Sequence, residues 1–260
     1  MHILALAGTG YAAPGLLERV HRPRLVDASD AQLTPVVRLR GLVGDREISR
    51  LHEAAAAVRA EVGDVVRANG LEPGSWRTVY MNHRLADLVP EVHAKLHSAV
   101  REVDARHWQI IDEPNRRSLN LRVAEYHTVL PSGGLPMHKH HDRGSLVTMD
   151  LMLSSPGADF EGGIFQTLEA DGNLRRHHFD RGDALFFLSH KYHCVSPVSR
   201  GKRTVFVSEL WDGLERRCNC RCLQPWGPCY CMYAPDPALG AIKFGETCAW
   251  PRCVSPGGSE

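Results

Sequence analysis

The chain has 260 residues, with 31 Lys plus Arg against 30 Asp plus Glu, a formal net charge of +1. Hydrophobic residues make up 43% and charged residues 23%, a globular balance that excludes a disordered tail or a fibre. The near-neutral charge removes any global electrostatic case for nucleic acid or an anionic membrane surface, and no apolar run approaches the roughly 18 residues of a membrane span.

The opening segment, MHILALAGTGYAAPG, is apolar but lacks the basic residues that precede a secretory leader, so it reads as a strand or an irregular start. Residues 34–43 (TPVVRLRGLV) read as a strand. Asp45 then caps a helix, with Glu47 in its first turn and apolar residues at Ile48, Leu51, Ala55, Val58, Val62 and Val65. A second helical pattern runs through Leu85, Leu88, Val92, Leu96, Val100 and Val103, with Pro90 in its first turn. The texture changes after Pro114. Short apolar or alternating runs over 121–128, 145–153, 164–168, 184–188 and 203–210 are separated by Gly, Pro, Asp and Asn, the pattern of an antiparallel sandwich or barrel. The Arg181-Gly182-Asp183 tripeptide precedes an apolar strand and reads as a turn, not an adhesion motif. The division expected is 1–114, N-terminal strands and support helices; 115–213, a β core; and 214–260, a cysteine-rich tail.

Histidine and cysteine are segregated. Eight of the 15 His lie between His127 and His193, and seven of the 8 Cys from Cys218 onward, so two separate chemistries are expected. The densest histidine segment is HKHHD, residues 138–142. In a strand, residues two apart share a face, so His140 and Asp142 point together while His141 points away. One imidazole and one carboxylate are two of the three ligands of the facial triad that holds non-haem Fe(II). On its own, the His-x-Asp tripeptide reads more readily as a solvated polar turn. The best third ligand is His193, which follows the apolar strand ALFFL. Arg203 lies ten residues further on, where a turn at 199–202 would set it on the strand beside His193, able to grip a carboxylate bidentately. Tyr126, on the first strand of the core, is a candidate to add a hydroxyl to that carboxylate.

From about Leu121 to Trp211 the chain resembles the 2-oxoglutarate- and Fe(II)-dependent oxygenases of the prolyl 4-hydroxylase-like group. The matching pieces are Tyr126, His140-x-Asp142, the turn Asp159-Phe160-Glu161-Gly162-Gly163, the turn Arg181-Gly182-Asp183-Ala184, and His193-Cys194-Val195-Ser196-Pro197-Val198 with Gly201 and Arg203. HHD followed by DFEGG is similar to the catalytic domain of procollagen lysyl hydroxylases. The resemblance implies an α+β chain whose double-stranded β-helix (jelly-roll) core carries N-terminal supporting helices and a Cys-rich C-terminal appendage. It implies His140, Asp142 and His193 as catalytic iron ligands, Arg203 as partner of the 2-oxoglutarate tail carboxylate, and Tyr126 as a hydroxyl near it. The cofactors it implies are Fe(II), 2-oxoglutarate, O2 and ascorbate. The reaction it implies is hydroxylation of an unactivated C–H, on a Pro or Lys side chain of a peptide or protein or on a small amino-acid-like substrate. Nucleic-acid demethylases of this superfamily carry a second arginine six residues beyond the first; Glu209 stands there here, which argues against a nucleic-acid substrate. The competing reading is a non-enzymatic jelly-roll protein that binds metal or a partner.

The tail reads CNCRCLQPWGPCYC from Cys218. Cys218, Cys220, Cys222, Cys229 and Cys231 are close enough to gather on one zinc, although their C-x-C spacing is not that of a standard finger. Disulfides are the rival and would require a secretory compartment, whereas zinc or free thiols suit the cytoplasm. Cys194, beside His193, is expected on the opposite strand face as a core residue.

Overall fold

The computed structural model describes residues 28–67, 72–110 and 119–216. The opening apolar segment and the tail cysteines Cys218, Cys220, Cys222, Cys229 and Cys231 lie outside the described residues. In chain order the first elements are α1 (Ala28–Leu33), β1 (Val37–Leu39), α2 (Asp45–Val62), β2 (Val65–Val66), β3 (Trp76–Tyr80), α3 (Leu85–Leu88) and α4 (Pro90–His107). There follow β4 (Asn120–Val129), β5 (Leu135–His140), β6 (Val147–Met152), β7 (Phe160–Gly162), β8 (Phe165–Leu168), β9 (Leu174–His177), β10 (Ala184–Leu188), β11 (His193–Val195), β12 (Val198–Gly201) and β13 (Arg203–Trp211).

Local chemistry moves three of the expected boundaries. The strand expected over 34–43 contracts to β1, because Gly41 at φ 57° turns the chain. Helix α2 begins one residue earlier in its cap than expected. The Gly44 N–H donates to Glu47 Oε2 at 2.8 Å and the Gly44 carbonyl accepts from Ile48 at 3.0 Å, so Asp45 is the first helical residue instead of the cap. The second helical pattern splits into α3 and α4 at Val89, which the ring of Pro90 keeps out of helical geometry.

The strands form a seven-stranded sheet in the order β1-β10-β6-β13-β4-β3-β2, a four-stranded sheet β5-β11-β8-β9, and a two-stranded ribbon β12-β7. All named pairings are antiparallel. The period of two divides each central strand between two cores. Ala184, Phe186 and Leu188 of β10, with Val147, Met149 and Leu151 of β6, pack against Ile48, Leu51 and Val58 of α2 and Val92, Leu96 and Val100 of α4. Leu185 and Phe187, with Met152, face inward and meet Leu135, Phe165 and Val195 of the smaller sheet. This is the jelly-roll arrangement with helices on one outer face. Strands β1, β2 and β3 from the first 114 residues join the same large sheet as the core strands, so that segment and the core share one sheet.

The turn at Arg181–Asp183 is structural. Asp183 accepts from the Gly41 N–H at 2.8 Å and the Asp180 N–H at 3.0 Å, and pairs with Arg38. No helix among the described residues is long and apolar enough to cross a membrane.

Helix α4 carries a buried imidazole, His97, whose Nε2 has no hydrogen-bond partner among the described residues and whose ring lies 4.1 Å from that of His93. Burial, with the nearby His93, pushes its pKa down to about 3. The unfolded chain protonates this residue near 6.5 and the folded chain does not. Stability is therefore complete above about pH 6.5 and falls by about 1.4 kcal/mol per pH unit between there and the folded value. Urea unfolding between pH 7 and pH 4.5 should show His97→Leu with a shallower acid loss, by close to one proton, than the wild type.

Candidate metal centre

His140 closes β5 and His193 opens β11, and the two are direct cross-strand partners in the smaller sheet. Their rings meet edge to face at 5.0 Å. Asp142 follows β5, with Oδ1 3.3 Å from His140 Nε2 and Oδ2 3.8 Å from His193 Nε2. One ligand atom from each of the three residues lies within 4.8 Å of the others, the one such group found among the described residues. An imidazole, carboxylate and imidazole at this spacing, open on one side, fit a single divalent transition metal.

The surroundings set the orientation of two of the three side chains. His193 Nδ1 lies 3.0 Å from the Lys191 carbonyl, which can only accept, so Nδ1 carries the proton and Nε2 presents its lone pair to the site. The ring is buried between Phe165 and Phe187, and burial lowers its pKa, which favours the neutral ligand form. Asp142 Oδ2 accepts from Thr148 Oγ1 at 2.7 Å, and Thr148 is 2.9 Å from Ser189 Oγ. The Asp142 N–H donates to the Ser189 carbonyl at 2.8 Å. The loop leading to His193 is tied to α1. The wholly buried Lys191 ammonium donates to the Gln32 carbonyl at 2.9 Å and to Glu169 at 3.0 Å, while Gln32 bonds the His190 carbonyl and the Tyr192 N–H.

Arg203 is not beside His193. The β12–β7 ribbon intervenes, and Arg203 begins β13 in the large sheet between β4 and β6, whereas His193 pairs with β5 and β8. The two residues face each other across a cavity of about 260 Å³ that they line together with His140, Asp142, Asp150 and Phe165. Arg203 is 1% exposed, and its Nε and Nη2 have no hydrogen-bond partner among the described residues. Burial pulls its pKa down to about 10 despite the opposing charge of Asp150. Gly163 makes room for this side chain. At φ 58° it has a conformation that side chains resist, and a Cβ there would stand 2.8 Å from Arg203 Cδ.

Tyr126 does not reach the cavity. Strand alternation puts it on the helix side of β4, where its hydroxyl is 2.7 Å from His52 Nδ1 of α2. The inward residues of β4 are its neighbours Glu125 and His127, which line the cavity with Arg67. Arg67 Nη2 lies 2.8 Å from Glu125 Oε1, and His127 Nε2 is 3.1 Å from Glu125 Oε2. Trp76 Nε1–H donates to His127 Nδ1 at 3.0 Å. That indole can only donate, so Nδ1 is unprotonated and Nε2–H faces Glu125. Glu209 is fully buried and bonded to Arg122 at 2.9 Å and Ser145 at 2.7 Å. Cys194 is buried, which raises its thiol pKa.

No family model matches the chain, and no curated protein matches it in sequence. Solved structures do match. A prolyl-4-hydroxylase from Pseudomonas putida is 16% identical, with a TM-score of 0.51, over 73% of this chain and 97% of that one. A non-haem α-ketoglutarate-dependent epimerase of nogalamycin biosynthesis, SnoN, is 13% identical, with a TM-score of 0.53, over 73% and 84%. A prolyl hydroxylase solved with a hypoxia-inducible factor peptide fragment, from Trichoplax adhaerens, is 14% identical, with a TM-score of 0.52, over 71% and 87%. The chain therefore has the double-stranded β-helix fold of the 2-oxoglutarate/Fe(II) oxygenases. The further similarity to lysyl hydroxylases rests on the HHD and DFEGG motifs alone.

The Arg122–Glu209 pair yields a stability test. Glu209→Ala removes the carboxylate bonded to the buried Arg122 guanidinium and should cost about 3–5 kcal/mol in denaturant unfolding, whereas the double replacement Arg122→Met with Glu209→Leu should recover most of that loss.

Proposed function

We propose that the protein is an Fe(II)- and 2-oxoglutarate-dependent oxygenase that hydroxylates an unactivated C–H. The observation that carries the reading is the presence, in one cavity, of the His140–Asp142–His193 cluster and of a buried Arg203 whose Nε and Nη2 are unpartnered among the described residues. In this reading His140, Asp142 and His193 hold the iron, with Thr148 and the Lys191 carbonyl fixing the carboxylate and the His193 ring. Arg203 takes the distal carboxylate of the keto acid, so that the other end of the molecule lies toward the metal. Phe165, Phe187, Val195 and Val205 keep water from the space between. With the keto acid and O2, the bound iron supplies the oxidising power for C–H hydroxylation. A retained carboxylate at Asp142 favours hydroxylation over halogen transfer, because it fills the position that a halide would need.

For the substrate, the reading is a Pro or Lys side chain in a peptide or protein, or a small amino-acid-like molecule. Two of the matched structures are prolyl hydroxylases, one of them holding a peptide, which supports the peptide form, while the epimerase match marks how widely the fold is used.

Anaerobic addition of Fe(II) and 2-oxoglutarate should give a weak visible metal-to-ligand charge-transfer band that disappears in His140→Ala, Asp142→Ala or His193→Ala. A well-folded wild type without the band would sink the iron assignment. Arg203→Ala should raise the half-saturating 2-oxoglutarate concentration at least about tenfold and leave Fe(II) binding in place, since a hydrogen bond to a charged group contributes about 1.5–3 kcal/mol. Gly163→Ala should shift 2-oxoglutarate binding in the same direction by displacing the Arg203 side chain.

A further inference from the structure

Asp150 lies in the middle of β6, a strand buried along its whole length. Alternation turns it inward, away from the helices, into the cavity that also holds Arg203 and the His140–Asp142–His193 cluster. Its cross-strand neighbours in the sheet, Val207 and Leu185, are apolar, so the sheet offers its carboxyl nothing to bond. It has no hydrogen bond or ion pair with any described residue. Arg203 feels its charge but forms no salt bridge with it. An unpartnered carboxyl and an unpartnered guanidinium thus face one cavity without closing on each other. Groups left in this state are costly to bury, and a ligand that satisfies both at once removes that cost.

We propose that Asp150, in its neutral carboxylic form, donates its O–H to the same distal carboxylate that Arg203 holds, so that the dicarboxylate binds together with one proton. This rests on the reading of the cavity as a keto-acid site, and it fills the role for which the sequence pointed to the Tyr126 hydroxyl. The electrostatic setting favours the neutral form. Burial pushes the Asp150 carboxyl up to about 7 against the pull of Arg203, with the charges of Asp142 and Glu125 adding to the push and His140 opposing it. Of the other charged groups lining the cavity, Arg67 is engaged with Glu125, and Glu209 with Arg122. His127 bonds Glu125, and His193 bonds the Lys191 carbonyl. None of these supplies Asp150 with a counter-ion. An incoming carboxylate adds negative charge and raises its proton affinity further. The proton comes from solvent, no covalent bond changes, and the carboxyl–carboxylate hydrogen bond is of the short, charge-assisted kind.

The test is calorimetric binding of 2-oxoglutarate and of pyruvate, a 2-oxo acid without the distal carboxylate, to the full chain loaded anaerobically with Fe(II). Each titration is run at pH 8 in two buffers of different ionisation enthalpy, so that protons taken up are counted. The wild type should take up about one proton more with 2-oxoglutarate than with pyruvate. Asp150→Asn keeps a donor of the same shape and should bind 2-oxoglutarate within about threefold of the wild-type affinity measured at pH 7, with the extra proton gone. Asp150→Leu should weaken 2-oxoglutarate about tenfold or more, the worth of one charge-assisted hydrogen bond, and leave pyruvate unchanged. Asp150→Leu binding 2-oxoglutarate as tightly as wild type, or a wild type with equal proton uptake for both acids, overturns the proposal alone. Failure of both acids to bind in an Fe(II)-dependent way overturns the keto-acid reading, and this proposal with it. Should the leucine variant not fold, the proton count of wild type against Asp150→Asn still decides.

Discussion

The antiparallel pairing of His140 with His193 is the constraint on which the candidate metal centre rests. A cross-strand pair in the smaller sheet brings two imidazoles together without help from either side chain, and the chain leaving β5 then needs only two residues to add Asp142. Strand pairing positions Cα atoms but leaves rings and carboxylates free to turn. The remaining polar contacts remove that freedom: Thr148 and Ser189 on Asp142, the Lys191 carbonyl on His193, and α1 on the loop between them. The inner face of the large sheet supplies the opposite wall, with Arg203 and Asp150 among its buried groups.

Much of this was legible in the sequence because strand geometry has a short, rigid period. Residues two apart share a face, so His140 and Asp142 could be grouped from spacing, and the apolar runs separated by turn residues announced a β core. The same rule exposes the error at Tyr126: one step along β4 separates the helix side from the cavity, and nothing local distinguishes Tyr126 from its neighbours Glu125 and His127. Arg203 was misplaced as a neighbour of His193, because the ribbon of β7 and β12 sends the chain from one sheet to the other between His193 and Arg203. Asp150 carried a signal that could have been read, a lone carboxylate in the apolar strand VTMDLM. The clasp of Gln32 on Lys191 carried none, since the contact spans 159 positions and pairs two ordinary polar residues.

The two faces of the large sheet solve different problems. The outer face is closed by α2 and α4 with aliphatic packing, and there a buried neutral His97 makes stability sensitive to acid. The inner face buries charge, and its carboxylates are handled in different ways. Glu209 and Glu125 are matched by Arg122 and by Arg67 with His127, whereas Asp150 has no such partner among the described residues. Paired and unpaired acids thus share a single sheet face, and the unpaired one lies on the cavity that the proposed keto-acid site occupies.

The contact of α1 with the loop before His193 also bears on where the folding unit begins. Lys191 is wholly enclosed, and one of its two acceptors is the backbone carbonyl of Gln32, nearly 160 positions upstream. Removing α1 would strip that carbonyl from a buried ammonium two residues before His193. The short helix α1 is thus joined to the barrel by electrostatics as well as by sequence, and a version of the protein begun after residue 33 would have its weakest point beside the His140–Asp142–His193 cluster, not at its new terminus.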